Sequence, residues 1–111
     1  MTMEDKNHVK DLMESRIPSQ IREGLKRYIE HGIRPGHFLQ SVLTNDLFGA
    51  CRRADPQCAI AIFDIVMYVS SFAPMDSYGS IEEFEGYIDR MQERRKRIRE
   101  RNEIDKVKEI S

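Results

Sequence analysis

Apolar positions along this chain recur three and four residues apart over most of its length, the spacing of helices that bury one face. Ile17, Ile21, Leu25, Tyr28 and Ile29 form one such stripe. Pro18 suits its first turn, where a missing N–H costs nothing, and Gly32 suits its end. Phe38, Leu39, Val42, Leu43, Leu47, Ala50 and Cys51 form a second stripe, opened by Arg34-Pro35-Gly36 and closed before Asp55. Its middle, Thr44-Asn45-Asp46, is a possible break, because Thr or Asn can cap a fresh turn beginning at Asp46. Asp55 as N-cap and Pro56 as first helical residue predict a third helix ending near Ala73, since Pro74 disfavours helical backbone at the residue before it. After a turn over residues 74–79, Ser80-Ile81-Glu82-Glu83 matches a capping box, and Ile81, Phe84, Ile88 and Met91 carry a fourth helix onward. Val9, Leu12 and Met13 predict a weaker helix over residues 4–15.

The third helix, PQCAIAIFDIVMYVSSFA, is apolar almost all round, which places it at the centre of a bundle or in an oligomer interface. With 111 residues, 40% hydrophobic and 33% charged, the chain has material for one core and a heavily solvated surface. The expected architecture is therefore all-α: a single-domain, small helical bundle of four to five helices with a long, charged C-terminal helix. Residues 1–16 form the weak N-terminal helix, 17–92 the core and 93–111 a projecting charged extension.

A formal net charge of −1 conceals a strong asymmetry in the last helix. Glu82, Glu83, Glu85, Asp89 and Glu93 against Arg90 give residues 82–93 a charge of −4, whereas residues 94–101 carry +5 from six bases and Glu100. A helix over residues 81–108 would be roughly 42 Å long, against a radius of gyration near ~13 Å for a compact chain of this size. Its distal half should project. Three roles remain open for that half: a solvated tail, a partner helix, or a nucleic-acid element that lays arginines along phosphates. As a partner helix it would pack antiparallel on a second copy or on a host protein, through an apolar strip at Ile81, Phe84, Ile88 and Met91 and the opposed charge blocks. The candidate contact residues are Arg94, Arg95, Arg97, Ile98, Arg99 and Arg101.

Chemistry elsewhere is sparse. His8, His31 and His37 are scattered, and Cys51 and Cys58 lie seven apart in apolar surroundings, so neither a metal site nor a disulfide is expected. No nucleophile signature or phosphate-cradling glycine loop occurs, so the expectation is a protein that is not an enzyme and takes no cofactor. Asn45, Asp46 and Asp55 read as helix caps, with Arg52 and Arg53 at a helix C-terminus. The alternative is a ligand or partner patch made of Tyr28, Asn45, Asp46, Arg53 and Tyr78, in which Tyr28, Arg53 and Tyr78 supply stacking and charge to a nucleotide held at a subunit interface. The polar N-terminus lacks the apolar run of a secretion signal, and the longest apolar stretch, residues 58–73, is short for a membrane span and contains Asp64. A cytoplasmic protein without membrane contact is expected.

The segments YIEHGIRPGHFLQSVLTNDLFGACRRAD and IVMYVSSFAPMDSYGS resemble a group of small, uncharacterised proteins encoded by bacteriophages and prophages. The shared pattern is Tyr-Ile-x-x-Gly-Ile-x-Pro-Gly-x-Phe-Leu, then Asn-Asp-Leu and Arg-Ala-Asp, and the resemblance covers residues 17–90. This chain carries Tyr78 where the pattern has Trp, and the charged extension lies outside it. The resemblance implies a phage or prophage accessory protein of a bacterial host, including one that binds and blocks a host factor. It implies no activity.

Overall fold

A computed structural model describes the backbone of residues 3–110 and the side chains of residues 8–104. Six α-helices and one short 3-10 turn make up the described chain, with no strand among the described residues. They are α1 (Met3–Ser15), α2 (Ser19–His31), α3 (His37–Leu43), α4 (Leu47–Arg53), α5 (Pro56–Phe72), the 3-10 turn (Met75–Ser77) and α6 (Ile81–Ile110).

The count exceeds the four to five helices expected because the second apolar stripe is two helices. Asn45 adopts left-handed backbone at φ 64°, and the Asp46 carboxylate then accepts the Gly49 N–H at 2.9 Å, so Asp46 caps α4 instead of starting it. A second difference lies at Pro18, which is the N-cap of α2 and not part of its first turn. Ile17 therefore precedes the helix and still enters the core. The cap at Asp55 forms as the sequence predicts, with Asp55 accepting the Cys58 N–H at 2.7 Å, and of the capping box at Ser80 the half in which Ser80 accepts the Glu83 N–H at 3.1 Å forms.

Contacts between α2, the 3-10 turn and α6 organise the core. The Tyr28 ring stacks on Phe84 with centroids 5.2 Å apart, lies 5.1 Å from Tyr87, and donates its hydroxyl to the Ser77 carbonyl at 2.6 Å. Tyr87 donates to the Ile29 carbonyl, tying α6 to α2 a second time. Phe84 and Ile88 are buried inside the chain, and Met91 packs against the same cluster. The apolar strip expected to be free for pairing is thus consumed internally, with Ile81 alone of the four left exposed.

Past Met91 the apolar seam ends, and residues 92–104 are all exposed. The molecule is correspondingly long, 57 × 35 × 22 Å with a radius of gyration of 16.9 Å, against ~13 Å for a compact chain. Residues 105–111 of the predicted extension lie outside the described side chains.

Candidate functional site

Of the two places expected for the third predicted helix, the centre of the bundle is not the one that α5 takes. Cys58, Ala61, Ile65 and Val69 point into the core, whereas Ile60 is 86% exposed, Phe63 73%, Val66 43% and Met67 42%. Ile62 is half-buried between the two faces. α1 covers one flank of the helix, where Tyr68 donates to Glu14 at 2.8 Å and the Lys10 ammonium sits over the Phe72 ring. The far side receives no such cover.

That far side is uncharged along its centre, with a single charge, Asp64, at its edge. Its exposed positions are Ala59, Ile60, Phe63, Val66, Met67, Ser70 and Ser71. Asp64, the one charged residue of α5, is half-buried at the edge of this face, four residues after Ile60 and three before Met67. Ile60, Phe63 and Met67 follow the three-then-four spacing of a packing seam. Together with Val66 they expose roughly 500 Å² of apolar side chain, in the upper part of the ~300–600 Å² that is the largest patch on a typical monomer. The sequence signal for this face was the absence of charge at those seven positions.

The proposed ligand patch separates into parts with structural work. Tyr28 is fully buried and presents no ring face to a ligand, which removes it from the patch. Its burial also holds the phenol well above the usual tyrosine range. Tyr78 is half-buried, its hydroxyl 3.4 Å from the Ser70 carbonyl. Asn45 is the left-handed residue of the α3–α4 turn. Arg53 donates to Ser41 Oγ at 2.6 Å and lies 3.8 Å from Asp46, so Asp46 and Arg53 do come together, as mutual partners.

Nearby, Arg34 and Glu85 form a two-pronged ion pair at 2.7 and 2.6 Å, which holds the Glu85 carboxyl below its ordinary value and the Arg34 guanidinium above its own. A cleft of about 220 Å³ runs between these two pairs, past His37, Gln40 and Thr44. Each arginine bordering it already has an acidic neighbour, so the cleft offers an anion no uncommitted charge.

The basic residues of α6 stand apart from both regions. Arg94, Arg95, Arg97, Ile98, Arg99 and Arg101 are all exposed. Arg95 reaches the His31 carbonyl at 3.5 Å, and Arg97 lies 3.6 Å from Glu93 one turn earlier. Arg90, Arg94, Arg97 and Arg101 fall on one stripe of the helix, four, three and four residues apart. Arg90 is engaged with Asp76 at 3.1 Å.

Among the described residues no group of three or more His, Cys, Asp or Glu side chains is placed to hold a metal ion. Cys51 is exposed and Cys58 buried, with the Cys58 thiol pushed up by burial and by Asp55 beside it. Among the described residues no helix is long and apolar enough to cross a membrane. Comparisons of the chain with protein-family models, with characterised proteins and with solved structures return no match.

Proposed function

We propose that this chain is a non-enzymatic accessory protein of phage or prophage type that acts by binding protein, with the outward face of α5 as its contact surface. One observation carries the reading. A 17-residue helix turns seven uncharged positions outward, Ile60 and Phe63 among the most exposed of them. Solvent-facing helices normally carry charge on that side, and large apolar patches mark interaction sites. A partner helix seated on α5 would complete the bundle that the isolated chain leaves open. In a bacterial cytoplasm such a surface serves to occupy a host protein, and antagonism of a host pathway or defence system is the role that fits the phage-like sequence pattern.

The test is co-purification with a tagged chain from bacterial cells that also produce an untagged copy. The expected result is a stoichiometric protein, host-derived or the untagged copy, retained by the natural chain and lost in Phe63→Asp. Retention of the same proteins by that variant, or retention of none by either, overturns the reading.

A second reading has its own support in the arginine stripe of α6. Arg94, Arg97 and Arg101 share one face with Arg90, which suits them to a line of phosphates. In that reading the protein is a nucleic-acid-binding regulator. A nucleotide-sequestering role is weaker than either, since Tyr28 is buried and Arg53 is partnered.

A further inference from the structure

We propose that the outward face of α5 pairs antiparallel with the same face of a second copy of this chain, with Phe63 meeting the partner's Phe63 near a twofold axis and Ile60 lying against the partner's Met67. The inference rests on the reading of α5 as the contact face and adds the identity of its occupant.

Symmetry supplies the first argument. A twofold contact requires a patch complementary to itself, and any charge near the axis meets its own like across it. The seven positions Ala59, Ile60, Phe63, Val66, Met67, Ser70 and Ser71 carry none, and Asp64, half-buried at the edge of the face, is the single charge that the axis brings near its own copy. Geometry supplies the second. Ile60 and Met67 lie three residues before and four after Phe63, so reversing one helix about Phe63 brings each opposite the other. Ala59 and Ser70, both small, flank the seam and let the two backbones approach. Antiparallel alignment also sets the positive end of each helix beside the negative end of its partner.

Area supplies the third. Pairing two faces of roughly 500 Å² removes at most about 1,000 Å² from water, the lower bound for a biological interface and the size of a weak, reversible dimer. The competing element, α6, has spent Phe84, Ile88 and Met91 inside its own chain. Of its remaining exposed apolar residues, Ile98 stands among arginines and Ile104 is isolated among charges of both signs.

Sedimentation velocity on the full chain at ~100 μM, a concentration that populates even modest interfaces, tests the pairing. The natural chain is expected to sediment as a dimer. That dimer should hold or tighten slightly between about 50 and 500 mM salt, because no ion pair lies in the seam and salt screens the two Asp64 carboxylates at its edge. Phe63→Asp should raise the dissociation constant at least ~100-fold while leaving thermal unfolding of the dilute monomer in place, since the ring is mostly exposed. Ile60→Lys with Met67→Lys should be monomeric, and Ile60→Lys with Met67→Glu should recover the dimer, because the two substituted positions face each other across the axis. Ile98→Asp, on α6, should leave the dimer intact.

A natural chain that is monomeric at this concentration, a dimer that survives Phe63→Asp, or a mixed-charge pair as monomeric as the same-charge pair overturns the proposal. A monomer that still retains a bacterial protein through Phe63 overturns the twofold pairing alone and leaves the contact-face reading standing.

Discussion

At Gly32 the absence of a side chain decides two things at once. The residue ends α2 in left-handed backbone at φ 67°, and a Cβ there would lie 2.5 Å from the Met91 Cβ on α6. Gly32→Ala therefore combines backbone strain with overpacking and should cost about 2–3 kcal/mol in a urea titration. Gly86 predicts the opposite sign. It sits inside α6, where an added Cβ meets only the end of the Arg90 side chain at 3.0 Å. Gly86→Ala should raise stability by roughly 0.5–1 kcal/mol, because the helix no longer bears the entropy of a glycine. Tyr28→Phe should lower it by about 1–2 kcal/mol, since the fully buried Ser77 loses the donor to its carbonyl. Equal stability of all three variants would dismiss the α2–α6 contact as the organiser of the core.

The two faces of α5 make a sharper comparison between substitutions on one element. Ile65→Asp introduces a carboxylate at a fully buried position and should cost on the order of 3 kcal/mol or more. Phe63→Asp, two residues away, should change the unfolding of dilute protein by less than ~0.5 kcal/mol. Circular dichroism melts of the pair decide whether the faces lie as described.

For α6, the phosphate reading predicts measurable DNA binding at about 50 mM salt that falls steeply as salt rises, and that disappears when Arg94, Arg97 and Arg101 become Gln. Absence of binding by the natural chain at that salt removes this reading.

Ends of elements were legible from the sequence because they are written in local chemistry. Asp55 and Ser80 cap through their side-chain oxygens, and Gly32 turns and Pro74 stops through their backbones. The outward face of α5 was not legible, because an all-round apolar helix has no periodicity to say which side is covered. That depends on how far α1 and the two seven-residue helices α3 and α4 extend over it. The split between α3 and α4 was half legible: Thr44-Asn45-Asp46 marked the place, and the left-handed Asn45 decided which residue became the cap.

Across the whole molecule, three tyrosines join separate elements as proton donors: Tyr28 from α2 to the 3-10 turn, Tyr87 from α6 to α2, and Tyr68 from α5 to α1. Burial is the largest cause holding each phenol above its ordinary value, and at Tyr68 the Glu14 carboxylate adds to it. The sign follows from linkage. Unfolded tyrosines ionise near pH ~10, whereas these three keep their protons in the folded chain until higher pH. The folded state therefore binds more protons than the unfolded state in that window. Stability should be independent of these groups below pH ~10 and decline above it, by up to ~4 kcal/mol per pH unit when all three contribute.

Against a total of roughly 5–15 kcal/mol for a domain of this kind, the fold should be lost within a few pH units of that onset. In a Tyr78→Phe background, which leaves only these three of the four tyrosines, phenolate absorbance and loss of far-ultraviolet circular dichroism should rise together as one alkaline transition. Phenolate absorbance that develops fully while the helices persist would show that the three hydroxyls are not held between elements, and would sink the account of how α1, α2, α5 and α6 are joined.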